Sequence, residues 1–172
     1  TQTKDVVFID NFDPESVIDI DSNGNIFAIT GDNSLQFYNT SSDNMAVIEG
    51  FRLDKSDYCY RIVISDTGVL HIFSRKGTWR ITLTQTGDTP KITNVENLEL
   101  KHLYVSQPHC GNPVYTITED FKIVTFDPLS GGFTEICSFT PPVGYDYSRI
   151  KGVAKAPKGY WINFWEQLFF LP

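Results

Sequence analysis

The stretch "DIDSNGNI", residues 19–26, contains the residue types with which a calcium-binding loop begins. Asp19, Asp21 and Asn23 stand at alternate positions before a glycine, and side-chain oxygens at this spacing are ligands that Ca²⁺ takes in such loops. The twelfth position counted from Asp19 is Thr30, where a bidentate Glu is expected. The stretch is therefore interpreted as a β-turn, which Asn and Gly favour because they accept positive φ. A weak metal site on these three residues is the alternative.

Two further stretches are rich in tyrosine. The segments "FRLDKSDYCYR" and "TPPVGYDYSR" each contain an aspartate, two tyrosines and an arginine. Tyrosine and tryptophan offer a large, fairly rigid contact area with a polar tip, which suits a sugar ring or a protein partner. We predict ligand binding by Tyr58, Tyr60, Arg61, Tyr145, Tyr147, Arg149 and Trp165. The alternative is that these tyrosines only fill gaps between sheets and cap the core.

Motifs for catalysis are lacking. The sequence has no glycine-rich phosphate loop, no G-x-S-x-G elbow and no H-E-x-x-H. The three cysteines, Cys59, Cys110 and Cys137, are widely spaced without a C-x-x-C, so we expect free thiols and no zinc site. His71 lies mid-strand and is interpreted as a packed histidine. The sequence predicts no cofactor and a protein that is not an enzyme.

The elements that must position these residues are strands. Short runs such as "NIFAIT", "RIVIS", "VLHIF" and "KIVTF" are rich in β-branched and aromatic residues and are separated by Gly, Asn, Asp and Ser. We find no convincing 3.6-residue period, so an all-β fold is expected.

The chain repeats itself with a period of about 45 residues. Four segments each read strand, turn, strand, turn and strand, and their first turns end at Gly24, Gly68, Gly111 and Gly159. This period, made of strands alone, is typical of the blades of a β-propeller. We predict one domain over residues 1–172 with four blades, at about 16–50, 60–100, 102–140 and 149–172, the last completed by residues 5–12. The tyrosine-rich stretches then precede blades 2 and 4 and flank the central channel.

Charge and length exclude some partners. The 172 residues carry a formal net charge of −7, which disfavours nucleic acid and anionic membranes. No apolar run approaches the ~20 residues of a membrane-spanning helix. The missing initial Met and the triplet Asn39-Thr40-Ser41 favour an extracellular location, whereas free thiols favour a reducing compartment. Together these signals slightly favour an extracellular location over a cytoplasmic one.

The stretch "DSNGNIFAITGDNSLQFYN" resembles the repeat of hemopexin-like propellers, with its glycine, aromatic strand, Gly-Asp turn and second aromatic strand. This resemblance implies a four-bladed fold and a cation or chloride in the central channel, held by inner-strand carbonyls. The stretch "GYWINFWEQLFFLP" is similar to tachylectin-type lectin repeats.

We therefore expect a non-catalytic ligand-binding module of lectin type, whose partner is a glycan, a small ligand or a protein. One alternative is a structural or protein-interaction propeller within a larger assembly, in which another chain completes the fourth blade. The second is a small propeller hydrolase, which requires carboxylates or histidines that converge at the channel mouth.

Overall fold

The structure is a computed structural model that describes residues 15–98, 104–105, 114–146, 149–165 and 167–172. These residues form fifteen β-strands and contain no α-helix, so the all-β prediction is confirmed. The strands are β1 Val17–Ile20, β2 Ile26–Ile29, β3 Ser34–Asn39, β4 Asn44–Arg52, β5 Cys59–Ile64, β6 Val69–Ser74, β7 Thr78–Gln85, β8 Pro90–Asn97, β9 Tyr104–Val105, β10 Val114–Ile117, β11 Lys122–Phe126, β12 Phe133–Ser138, β13 Ile150–Ala156, β14 Gly159–Phe164 and β15 Gln167–Leu171.

The strands make four antiparallel sheets in which neighbours along the chain pair with one another. Sheet 1 contains β1–β4, sheet 2 contains β5–β8, sheet 3 contains β9–β12 and sheet 4 contains β13–β15. Each sheet falls on one of the four repeated segments of the sequence. The predicted completing strand at residues 5–12 lies outside the described residues.

The turn at Asp21 explains how the first repeat begins. The Asp21 carboxylate accepts hydrogen bonds from the backbone N–H groups of Asn23 (2.9 Å) and Asn25 (2.8 Å). Gly24 adopts φ +84°, a left-handed conformation that costs glycine little. The chain therefore reverses between β1 and β2, and the turn interpretation of "DIDSNGNI" is confirmed.

Consecutive sheets pack face to face through separate apolar cores. One core joins sheets 1 and 2 and contains Phe37 and Ile72, and a second joins sheets 2 and 3 through Phe73 and Phe126. A third core joins sheets 3 and 4 around Phe164. Removing a side chain of this size from water contributes about 1.5–3 kcal/mol to folding, so these cores fix the order of the sheets.

His71 lies in sheet 2 at its contact with sheet 3. Its side chain is fully buried, and its ring stands edge-on to Phe126 with 4.7 Å between centroids. The interpretation of His71 as a packed histidine is confirmed.

Candidate functional site

Tyr58 and Tyr60 form an exposed aromatic pair where the loop from β4 enters β5. Their side chains are 62% and 37% exposed, and their rings meet edge-on with 5.6 Å between centroids. Large aromatic side chains that stay this exposed are common at recognition surfaces, because their contact area is available without much loss of rotamer freedom. The two predicted tyrosines are thus brought together at the surface.

A buried carboxylate holds this loop. Asp57 is only 7% exposed, and its Oδ1 accepts hydrogen bonds from the backbone N–H groups of Tyr58 (2.9 Å) and Lys76 (3.0 Å). Its Oδ2 accepts a third hydrogen bond, from Ser74 Oγ at 2.7 Å. Asp57 therefore connects the tyrosine loop to the turn between β6 and β7.

Tyr58 lines a groove of about 230 Å³ between this loop and the turn that joins β2 to β3. The groove, here called the tyrosine groove, is also lined by Glu15, Thr30, Asn33 and Lys55. Asn33 adopts φ +67°, and its side-chain amide donates to the carbonyl oxygen of Asp54 at 2.9 Å. The groove thus combines an aromatic wall with polar groups on an anchored frame.

The turn beside the groove carries a stabilised carboxylate. Hydrogen bonds from Thr30 and Ser34, together with the nearby Arg52 guanidinium, lower the pKa of Asp32 to about 2. Arg52 also makes an ion pair with Asp32. This carboxylate stays ionised at any ordinary pH and fixes the turn from the outer side.

Cys59 and Arg61 do not add reactive groups to the groove. Cys59 is buried, and burial raises the pKa of its thiol to about 12, so it stays protonated. Burial lowers the pKa of Arg61, while the nearby Asp19 carboxylate opposes that shift. Arg61 pairs across from Phe73 in sheet 2 and is half-buried. Of the three residues predicted as ligand-binding in this stretch, Tyr58 and Tyr60 are exposed and Arg61 is half-buried.

The second predicted group divides between core and surface. Tyr145 packs in the core of sheets 3 and 4, with its ring centroid 5.1 Å from that of Phe164 and 5.4 Å from that of Phe169. Arg149 lies over the Tyr145 ring, with 6.0 Å from the guanidinium carbon to the centroid. Trp165 is 68% exposed. Tyr147 lies outside the described residues.

Trp165 has a cationic neighbour that the sequence analysis missed. The Lys151 ammonium lies over the indole ring, 4.1 Å from its centroid. A lysine at this distance is attracted by the electron-rich face of the ring, by about 0.5–1 kcal/mol at an exposed site. The sequence does not reveal this contact, because the register of β13 against β14, which brings Lys151 to Trp165, cannot be read from the sequence.

Two of the three residues considered as metal ligands, Asp19 and Asp21, have carboxylates that the fold already uses as hydrogen-bond acceptors. Asp19 Oδ2 accepts the backbone N–H of Ile64 at 2.9 Å, which ties sheet 1 to sheet 2. The Asp21 oxygens are bonded within their turn, one of them also to the side chain of Asn25 at 3.0 Å. In the part of the chain that the structure describes, no three His, Cys, Asp or Glu side chains come close enough to hold a metal ion.

A larger cleft of about 400 Å³ lies at the opposite end of sheets 1 and 2. Its rim consists of the turns near Asn23 and Thr67, and its base contains Phe27, Ile64 and Leu83. Among the described residues that line it, there is no tyrosine, tryptophan, lysine or arginine. The tyrosine groove is smaller but carries the groups suited to recognition, so it is the better candidate site.

Fold and site together define an all-β protein of face-packed antiparallel sheets with an aromatic surface groove. No protein-family model matches the chain, and no curated protein matches it. Two solved structures of the extracellular domain of BT4673 from B. thetaiotaomicron are similar, each with a TM-score of 0.50 over 86% of this chain. One is described as a one component system and the other as a hybrid two component system, at 11% and 12% identity. The chain spans only 19% and 18% of their lengths. Such likeness concerns the fold alone.

The described residues contain no helix that is long and apolar enough to cross a membrane.

Proposed function

We propose that the four sheets are consecutive blades of a β-propeller. Each sheet is an antiparallel meander of three or four strands, and sheets 1, 2 and 3 each pack a face on the next sheet along the chain. The 45-residue repeat of the sequence supports this arrangement, since blades of four strands have this length. The hemopexin-like resemblance and its channel ion belong to the same proposal.

On this scaffold we propose a non-catalytic recognition domain of lectin type, with the tyrosine groove as its site. The observation that supports it most strongly is the exposed Tyr58–Tyr60 pair on a loop that the buried Asp57 carboxylate anchors. A rigid aromatic platform costs little entropy when a ligand binds.

The chemistry of the groove favours a glycan or a similar polar ring. The apolar face of a sugar ring packs on a tyrosine ring, while hydroxyl groups need donors and acceptors around it. Asn33, Lys55 and Glu15 line the groove with an amide, an ammonium and a carboxylate. Cys59 also borders the groove, where burial raises the pKa of its thiol to about 12 and keeps it protonated.

We further propose that the domain acts outside the cell. The support is that the two similar structures are extracellular domains, described as parts of signalling systems. A domain that binds a ligand and transmits a signal is compatible with this fold. Such a domain would need a groove with a stable shape.

The first test is a screen of glycans and small polar ligands, followed by titration calorimetry with the best ligand. We expect the double variant Tyr58→Ala/Tyr60→Ala to weaken binding at least tenfold, because central aromatic contacts commonly contribute about 2 kcal/mol or more. Tyr58 is mostly exposed and Tyr60 is partly exposed, so we expect the free energy of unfolding to fall by about 1 kcal/mol in the double variant, which should still fold.

Trp161→Ala is the matched control. Trp161 is 42% exposed, which is comparable to Tyr60, but it lies on sheet 4 rather than at the groove. Ligand affinity that is unchanged in this control and lost in the double variant would support the proposal. Absence of any ligand in the screen, or equal affinity in the double variant, would refute it.

A further inference from the structure

The charged side chains around the tyrosine groove differ in whether they already have partners. The groove and the segments 30–33, 52–58 and 75–77 that border it contain four acidic and four basic side chains: Glu15, Asp32, Asp54, Asp57, Arg52, Lys55, Arg75 and Lys76. Their charges cancel in number, although the whole chain has a net charge of −7. The kind of ligand that the groove selects therefore depends on which of these groups are still available.

Four of these side chains form two ion pairs. Asp32 pairs with Arg52 beside the turn that joins β2 to β3. Asp54 pairs with Lys76, with 2.9 Å between Oδ2 and Nζ. In each pair the carboxylate neutralises the cation, so these four side chains favour neither sign of ligand.

The other two acids are also used within the chain. Asp57 is buried, and its carboxylate accepts three hydrogen bonds from the loop, from the turn between β6 and β7 and from Ser74. Glu15 has an interaction of its own with another group of the chain. Neither of them is an unpartnered carboxylate that would select a cationic ligand.

The two remaining bases, Lys55 and Arg75, are different. Lys55 is exposed and lines the groove together with Tyr58. Arg75 is exposed, and its backbone N–H donates to the carbonyl oxygen of Tyr58 at 2.9 Å. Neither side chain has an ion-pair or hydrogen-bond partner among the described residues. The unused hydrogen-bonding capacity beside the tyrosine pair is thus that of cationic donors, which form their strongest hydrogen bonds with anions.

We propose that the ligand of the tyrosine groove is an acidic sugar. Its ring packs on Tyr58, and the Lys55 ammonium binds its anionic group, with Arg75 on the adjacent turn as a second cation. A carboxylate of the uronic acid type and a sulfate ester supply the same chemistry, since both present several charged acceptor oxygens. This inference rests on the proposed function, because it names the ligand class of the same groove. Lys55 is then the residue that determines specificity, while the tyrosines supply contact area.

The test compares sugars that differ in one group only. The probes are the methyl glycosides of glucose, galactose and mannose, each in three forms: with its neutral hydroxymethyl group, with a carboxylate in its place and with a sulfate ester on it. Their affinities for the full chain are measured by NMR titration. We expect at least one acidic form to bind about fivefold more tightly than its neutral counterpart at low salt, which is the upper range for exposed opposite charges. The advantage should shrink between about 20 mM and about 500 mM salt, because salt screens exposed charges.

Two variants with the same change in net charge locate the effect. Lys55→Gln/Arg75→Gln should remove the preference for the acidic form. Lys91→Gln/Lys158→Gln, at two exposed positions that do not line the groove, should retain it. Lys55→Arg should also retain it, because the positive charge is conserved. All four positions are exposed, so the variants should fold, which circular dichroism and thermal unfolding verify.

The outcomes separate this proposal from the proposed function. Tighter binding of either acidic form supports the proposal, and the ratio of the two affinities identifies a carboxylate or a sulfate ester as the better group. Neutral forms that bind as tightly as acidic ones, with binding lost in Tyr58→Ala/Tyr60→Ala, would overturn the acidic ligand and leave the proposed function standing. A preference that survives in Lys55→Gln/Arg75→Gln, or disappears equally in the Lys91→Gln/Lys158→Gln control, would also overturn it. Absence of binding by every sugar would overturn both.

Discussion

Asp57 is the residue on which the shape of the tyrosine groove depends. Three donors from different parts of the chain reach its carboxylate: two backbone N–H groups and the hydroxyl of Ser74. Because the side chain is buried, water cannot replace it as an acceptor without rearrangement. We expect Asp57→Ala to lower the free energy of unfolding by about 2–3 kcal/mol, as measured by urea denaturation.

Asp54 is the matched control for Asp57. It belongs to the same loop, and hydrogen bonds from Ser56 and Lys76 lower its pKa to about 2. Its side chain is 65% exposed, however, and exposed ion pairs contribute little. Asp54→Ala should therefore cost at most about 1 kcal/mol. Equal losses for the two variants would show that burial of Asp57 is not what stabilises the loop.

At the scale of the element, Gly159 shows that glycines at equivalent positions of the repeat can have different structural roles. The sequence repeat aligns it with Gly24 and Gly68, which adopt φ +84° and +79° in their turns. Gly159 instead begins β14 and is not in the left-handed region. Its role is close packing, because a Cβ added there would collide with the carbonyl oxygen of Leu171 in β15.

The substitution Gly159→Ala should accordingly disturb the pairing of β14 with β15. We expect a loss of about 1–3 kcal/mol in the free energy of unfolding, as for other overpacked sites. Gly152→Ala in β13 is the control, since an added Cβ there meets no atom within 4 Å. It should change stability by at most about 0.5 kcal/mol. A tolerated Gly159→Ala would mean that β15 moves freely relative to β14.

The sequence predicted strands and turns better than it predicted the site. Alternation, glycines and the Asp21 turn are local signals, and they indicate the sheets correctly. The two tyrosine-rich stretches look alike, yet Tyr58 is exposed whereas Tyr145 packs against Phe164 and Phe169. That difference depends on residues more than 15 positions away, which pattern alone does not place. The anchoring of the loop by Asp57 is likewise a contact between distant segments.

At the scale of the whole molecule, a histidine buried between two sheets makes the stability of the fold depend on pH. His71 is fully buried between sheets 2 and 3, and neither ring nitrogen has a hydrogen-bond partner among the described residues. Burial, helped by the nearby Arg80 guanidinium, lowers its pKa to about 4, while Asp127 opposes the shift. The imidazole therefore stays neutral in the folded protein at neutral pH.

This depressed pKa makes acid unfavourable for the folded state. Between pH 6.5 and 4 the unfolded chain binds a proton at His71 and the folded chain does not, so the free energy of unfolding falls as the pH falls. The contribution amounts to about 2–3 kcal/mol between pH 7 and 4.5. We expect urea denaturation at these two pH values to show that loss, and His71→Leu to reduce it by this amount.

Since the carboxylates are present in both proteins, their titration cancels in the difference. Equal pH dependence in the two proteins would mean that water or a proton reaches the joint, and that sheets 2 and 3 are not closely packed there.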